Sequence, residues 1–288
     1  METLSKQAKP YFSLMKPGIL FGNAITALGG FALASKGHID CSLLLILLAG
    51  LSLVIASGCT CNNYIDRYAD QKMRRTQNRP LAKGIIPNKN AILFAIFLGI
   101  SGALLLAFFV NLITAVVALI GFTVYVFFYS FSKYHSSHGT LIGSIAGAVP
   151  PVAGYCAVSN RLDMGALLLF IMIALWQMPH FFAIAIYRLD EYAAASIPVL
   201  PVKKGIPRTK INMLFYVAAF ITASFMLTIL GYTGLLYAIA TTILGFAWLW
   251  LAIKGFKSDN DRVWARKMFI FSLLVVTGLC SIIPFSIA

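Results

Sequence analysis

Apolar residues in this chain come in long, nearly unbroken runs separated by short polar stretches. They show neither the period-two alternation of a half-buried strand nor the one-sided stripe of a soluble helix. Nine such runs, at about 18–35, 42–65, 90–109, 111–131, 140–158, 164–186, 211–230, 233–254 and 266–287, reach the ~18–20 residues that carry a helix across ~30 Å of hydrocarbon. Backbone groups in lipid must be satisfied within their own segment, so these runs are expected to be helices. The pattern predicts an all-α polytopic membrane bundle of nine transmembrane helices, forming a single domain over residues 1–288.

Composition agrees: 60% of residues are hydrophobic and 11% charged, with a mean hydropathy of +0.85. The formal net charge of +14 would point to nucleic acid in a soluble protein. Its placement excludes that partner. With the N-terminus inside, all but two of the 23 Lys and Arg fall in inner segments, Lys36 and Arg161 being the exceptions. Under the positive-inside rule the N-terminus is cytoplasmic and the C-terminus outside. Residues 1–17 show no cleavable signal and no Arg/Ser-rich transit segment, so a bacterial plasma (inner) membrane is expected. Outer loops are short, whereas the inner loops at about 66–89 and 187–210 are long, which puts the working face toward the cytoplasm. Cysteines 41, 59, 61, 156 and 280 are scattered and lack zinc-ligand spacing, so they read as small packing residues.

Candidate chemistry gathers where the second run meets its inner loop. Asn62, Asp66 and Asp70 recur every four residues and share one helical face. Like charges at that spacing cost a helix roughly 0.2–0.5 kcal/mol, and acids at a helix C-terminus oppose the macrodipole. A bound cation would offset both penalties. Hard oxygen donors without Cys or His suit Mg²⁺, which takes the rest of its shell from water and phosphate. Lys72, Arg74, Arg75 and Arg79 follow at once, and guanidinium forks grip phosphate oxygens, Arg75 and Arg79 above all. Lys83-Gly84-Ile85-Ile86-Pro87 is echoed by Lys204-Gly205-Ile206-Pro207, four spans on, each preceded by an acid-bearing helix end. If this is an internal duplication, Asp66/Asp70 and Asp190/Glu191 face one another across a shared cavity. Gly139, Gly143 and Gly147 form a smooth face for close helix approach. Pro150-Pro151 is expected to interrupt the fifth span and Pro179 to break the sixth, beside Trp176, Gln177 and His180.

A diphosphate at the rim with an apolar cavity behind it describes a prenyl diphosphate. At this point the chain resembles the UbiA-type intramembrane prenyltransferases, whose first signature is Asn-Asp-x-x-Asp-x-x-x-Asp. Here it reads Asn62-Asn63-Tyr64-Ile65-Asp66-Arg67-Tyr68-Ala69-Asp70, with Asn63 departing at the second position. Within that family it resembles the members that farnesylate haem. The matching strings are Lys16-Pro17-Gly18-Ile19, Met73-x-Arg75-Thr76-x-x-Arg79-Pro80-Leu81, Gly139-Thr140-Leu141-Ile142-Gly143-Ser144, Pro150-Pro151-Val152-x-Gly154-Tyr155, Trp176-Gln177-Met178-Pro179-His180-Phe181, Ile197-Pro198-Val199-Leu200-Pro201 and Arg262-x-Trp264-Ala265-Arg266-Lys267.

The resemblance implies farnesyl diphosphate and haem B as substrates, haem O and diphosphate as products, Mg²⁺ as cofactor and membrane lipid as surroundings. It assigns Asn62, Asp66 and Asp70 to the metal and diphosphate, with Asp190 or Glu191 across the cavity. Lys72, Arg75, Arg79 and Lys204 clamp the diphosphate, and Arg67 pairs with Asp70. His135, His138 and His180 are candidate haem contacts, equally explained as polar loop residues or, for His180, as a hydrogen bond into the helix. The product would serve a terminal oxidase directly or through a haem A synthase. The sparse second acidic motif, Asp190-Glu191 with Ala194 after it, departs from the aromatic-substrate members. A quinone-biosynthesis prenyltransferase of the same fold is the competing enzyme. A secondary transporter or haem-handling membrane protein is the competing non-enzyme, disfavoured because the acids sit at one rim rather than at midplane.

Overall fold

A computed structural model describes residues 2–286, with side chains described from residue 8. The chain order is α1 (Glu2–Leu14), α2 (Pro17–Ser35), α3 (Cys41–Asp70), α4 (Asn88–Phe109), α5 (Leu112–Thr123), α6 (Ser130–His135), α7 (Gly139–Gly147), α8 (Val149–Ser159), α9 (Met164–Tyr187), α10 (Leu189–Ala194), α11 (Leu200–Ile229), α12 (Leu235–Lys254) and α13 (Asp261–Ile282). A π-helical segment, Val124–Tyr129, joins α5 to α6. Among the described residues, nine helical spans are long and apolar enough to cross a membrane, and no strand occurs. Around the outside, Phe97, Phe108, Leu235 and Trp250 are each more than half exposed. So broad an apolar surface on a folded chain is suited to lipid.

Helix starts follow local chemistry. Asp40, Asn111, Asp163 and Asn260 each accept a backbone N–H of the first turn of the helix that follows. Pro17 opens α2, where its missing N–H and fixed φ cost nothing. The fifth span divides as its prolines predict: α7 ends at Gly147 and α8 begins at Val149, with Pro150 in its first turn. The sixth does not break. α9 runs through Pro179 without interruption, because the Trp176 indole donates to the Ser272 carbonyl (2.8 Å) and the Gln177 amide to that of Ser144 (3.2 Å), tying both sides of the helix to neighbours. The break lies instead at Gly205 (φ 78°, ψ 165°) inside α11, which starts at Leu200, well before the expected 211.

Two glycine pairs set the spacing of the bundle. A Cβ on Gly30 would lie 1.9 Å from the Pro151 carbonyl oxygen, and one on Gly154 2.0 Å from that of Ala27. α2 and α8 therefore touch backbone to backbone, as small residues allow in membranes. The glycine face of α7 receives the Tyr129 ring at Gly143 and the Gln177 amide at Gly147.

The loop echo extends to the backbone. Gly84 and Gly205 both take positive φ, 69° and 78°, and a helical segment follows each. The same step along the chain carries α2 onto α7–α8, α3 onto α9, α4 onto the latter part of α11, α5 onto α12 and α7–α8 onto α13. Neighbour relations repeat as well: α3 packs on α4 as α9 does on α11, and α5 on α8 as α12 does on α13.

Candidate functional site

α3 continues past its apolar stretch to Asp70, and this extension holds Asn62, Asp66 and Asp70 on one rigid face. Each meets a cation from a different element. The Lys16 ammonium donates to Asn62 Oδ1 (2.6 Å). Lys133 Nζ lies 2.5 Å from Asp66 Oδ1, and the Tyr134 hydroxyl donates to the same oxygen (2.7 Å). Arg79 donates to both Asp70 oxygens (2.9 and 2.8 Å). Asn62 also donates to the Ser130 hydroxyl (3.3 Å), and Asn63 to the Leu14 carbonyl (2.9 Å). Asn62 and Asp70 are almost fully buried, at 3% and 4% exposure. Lys16 precedes α2 with φ 54°, a left-handed conformation that costs a side-chain-bearing residue energy. Burial, with Arg79 and Lys133 nearby, pushes its ammonium down to about 8. The penalties that the sequence reading offset with a metal are thus already met by side-chain cations.

The π segment belongs to this site. It stacks Tyr125 on Tyr129 with ring centroids 5.6 Å apart and turns the chain so that Lys133 and Tyr134 reach α3. Such segments recur at functional sites. Lys16, Lys133 and Tyr134 were not singled out from the sequence. Their signals were there: Lys133 is the one cation between the fourth and fifth spans, and Lys16 stands in a matched string.

The remaining candidates divide. Glu191 accepts from the Arg188 guanidinium (2.6 Å) and the Arg75 backbone N–H (3.4 Å), so it ties α10 to the loop after α3. Asp190 is 80% exposed at its side chain and pairs with Arg262 rather than with the loop after α3. Lys72, Arg75 and Lys204 are exposed, and their side chains make no hydrogen bond to the α3 face among the described residues. Arg67 does not pair with Asp70: it donates to the Tyr64 carbonyl (2.6 Å) and lies over the Tyr64 and Tyr68 rings, at 4.2 and 4.4 Å. Arg79 takes Asp70 because the loop curls back over the helix end, with the Thr76 hydroxyl donating to the Asp70 carbonyl (3.2 Å).

His135 Nδ1 lies 2.8 Å from the Phe131 carbonyl one turn back, and His138 Nδ1 3.0 Å from the Ser136 hydroxyl; both residues are exposed. His180 is buried, stacked on Trp176 (4.8 Å), with Nδ1 2.7 Å from the Ser272 hydroxyl. The structure therefore places the three histidines apart. Met73, Ala195 and Ile197 pack with Tyr134, Tyr192 and Val199, joining the loops of both halves next to Asp66, to which Tyr134 donates.

No group of three or more His, Cys, Asp or Glu able to hold an ion occurs among the described residues. Two carboxylates and an amide on one face fit a hard ion that brings its remaining oxygens from ligand and water. Two grooves stand out, of about 470 Å³ between α8 and α9 (Val152, Asp163, Phe170) and about 340 Å³ on α5 and the π segment (Val116, Phe128). Neither touches the α3 acids, so neither is the cavity expected behind them.

Residues 23–274 match the profile of the UbiA prenyltransferase family. A protoheme IX farnesyltransferase of Protochlamydia amoebophila is 53% identical over 277 residues, covering 96% of this chain and 98% of the relative. That of Cronobacter sakazakii is 52% identical over 272 residues, covering 94% and 92%. Among solved structures, a digeranylgeranylglyceryl phosphate synthase superposes with a TM-score of 0.80 at 21% identity, covering 99% of this chain and 98% of the other. A UbiA homolog from Archaeoglobus fulgidus bound to GPP and Mg²⁺ gives 0.65 at 14% identity, covering 96% and 99%.

Proposed function

The chain belongs to the UbiA prenyltransferase family, and from that premise we propose that it transfers a farnesyl group from farnesyl diphosphate to a vinyl group of haem B, with addition of water, giving haem O and diphosphate. The likeness to protoheme IX farnesyltransferases over nearly the whole length of both chains supports the substrates. The observation that carries the chemistry is the single face of α3, where Asn62, Asp66 and Asp70 each meet a cation from a separate element.

Asn62, Asp66 and Asp70 would hold Mg²⁺, which when bound neutralises diphosphate charge and favours departure of the leaving group. In its absence Lys16, Lys133 and Arg79 balance those oxygens. The same three cations then stand where a diphosphate needs them, already oriented and partly out of water. Arg75, Lys72 and Lys204 at the rim add positive charge along its approach. Glu191 fixes the Arg75 backbone, and with it the loop that carries Arg79. The C1–O bond of farnesyl diphosphate breaks with its electron pair leaving on diphosphate. The vinyl terminal carbon of haem then bonds to C1. Water adds to the carbon next to the ring and loses one proton, completing the hydroxyethylfarnesyl side chain. Met73 and Ile197, packed with Tyr134 beside Asp66, would help keep bulk water from the allylic cation.

The positive-inside pattern supports a reading in which this end of the bundle faces the cytoplasm, in a bacterial plasma membrane. The product would pass to a terminal oxidase or a haem A synthase. The test is mass spectrometry of haems extracted after purified protein is incubated with haem B, farnesyl diphosphate and Mg²⁺. Haem O with stoichiometric diphosphate supports the assignment. Prenylation of 4-hydroxybenzoate with haem B untouched would replace it with the quinone-pathway reading.

A further inference from the structure

The first two turns of α13 carry cations that the diphosphate chemistry does not use. Their backbone is held firmly. The buried Trp264 donates its indole N–H to the Leu251 carbonyl (2.9 Å). Behind it, the Lys210 ammonium donates to Asp261 (2.5 Å) and to the Gly255 carbonyl (2.7 Å). With that side anchored, Arg262 and Arg266 project from the exposed side, one turn apart. Arg262 reaches Asp190, but both members of that pair are more than half exposed, and such pairs are held weakly. Arg266 lies 6.0 Å from the centroid of the Tyr187 ring, which Arg188 approaches at 4.9 Å, and meets no carboxylate among the described residues. Tyr187 ends α9, and Glu191 of the next short helix accepts from the Arg75 N–H of the loop that carries Arg79. These arginines therefore share the end of the second half of the chain with Glu191, which ties that half to the loop after α3.

An acceptor with a reactive vinyl group at one edge of a flat apolar ring and two carboxylates at another has to lie across this end of the bundle. The vinyl edge must reach the farnesyl C1, and the carboxylates must stay at the polar rim and be paired. We propose that Arg262 and Arg266 bind the two propionate carboxylates of haem B, Arg262 exchanging Asp190 for a propionate while Tyr187 supports the ring edge. This rests on the haem reading of the function. Planar guanidinium forks match carboxylates in a way that ammonium groups do not.

The experiment measures KM for haem B, for its dimethyl ester and for farnesyl diphosphate in the wild type, in R262Q/R266Q and in R266K. Haem B affinity is also titrated from the Soret band without farnesyl diphosphate. Loss of two charge-assisted bonds should raise KM and Kd for haem B at least roughly ten-fold, with the KM for farnesyl diphosphate unchanged. The wild type should bind the dimethyl ester as weakly as the double variant binds haem B, and the double variant should no longer distinguish acid from ester. R266K should recover only part of the loss. A parallel rise in both KM values, or wild-type discrimination retained in the double variant, overturns the proposal; the latter would make the pair a lipid-phosphate contact. If haem O forms while these constants stay fixed, the function stands and this site falls. If no haem O forms but the Soret titration shifts as described, the site stands and the function falls. The wild-type comparison of acid with ester needs no variant to fold.

Discussion

Replacing Lys133 with Met removes the ammonium from Asp66 while nearly keeping the volume. The side chains of the pair are 11% and 13% exposed, and the contact is 2.5 Å. Removing one partner of a pair this buried leaves an uncompensated carboxylate, at a cost of about 3–5 kcal/mol. The Tyr134 hydroxyl still donates to Asp66 at 2.7 Å, and a hydrogen bond to a charged group retains part of that, so the net loss is about 2–3 kcal/mol. For a chain this long, each kcal/mol moves Tm by about 2–4 °C, which predicts a fall of roughly 4–12 °C in detergent without divalent metal. If Asp66 is a metal ligand, Mg²⁺ replaces the lost charge, restoring about 2.7 kcal/mol at a hundred-fold excess over its Kd. The assay is thermal unfolding of the wild type, K133M and D66N/K133M with Mg²⁺ or EDTA. The double variant should regain the wild-type Tm without metal, since neither charge remains. A K133M protein with wild-type Tm, or one whose lowered Tm ignores both Mg²⁺ and the Asp66→Asn change, would refute the reasoning.

Asp66→Ala and Asp70→Ala should abolish haem O formation while the protein still inserts, read by haem mass spectrometry on membranes with matched protein content. Gly30→Ala should lower Tm far more than Gly18→Ala, because its Cβ would lie 1.9 Å from the Pro151 carbonyl whereas Gly18 has nothing within 4 Å; equal Tm values would remove the backbone contact between α2 and α8. At Asp163, burial raises the carboxyl, but the Tyr155 hydroxyl, the Ala166 and Gly165 N–H groups and Arg161 outweigh it, so the group sits below its usual range. Its contribution is therefore present at neutral pH and lost as pH falls below the usual ~3.9. Asp163→Asn keeps a capping oxygen but loses the charge at the helix N-terminus, so it should cost roughly 0.3–1 kcal/mol near pH 7, and this difference should shrink in unfolding scans as pH falls below the usual ~3.9.

The spans were legible because lipid allows only helices or closed barrels, the runs lack a barrel's alternation, and the hydropathy marks a helix's length. The acidic face was legible because its spacing is local. Lys16 and Lys133 were not, because nothing along the chain says that two isolated lysines, one before α2 and one at the end of α6, converge on α3. Asp190 was misleading for the opposite reason. It lies beside Glu191 in sequence, but on the short α10 adjacent side chains diverge, so only Glu191 meets the α3 loop and Asp190 turns to Arg262. Pro179 shows a third limit: local propensity predicts a broken helix, and contacts from other helices keep it whole.

The step that superposes Gly84 on Gly205 also sets Ala183, Tyr187 and Glu191 of the second half opposite Asn62, Asp66 and Asp70 of the first. One register carries an amide and two carboxylates, the other an alanine, a tyrosine and one carboxylate. Had both copies stayed alike, the enclosure would recognise the same thing twice. On the proposed function, divergence between twin halves would supply two unlike berths, which a donor and an acceptor of very different shape need if they are to meet inside a membrane.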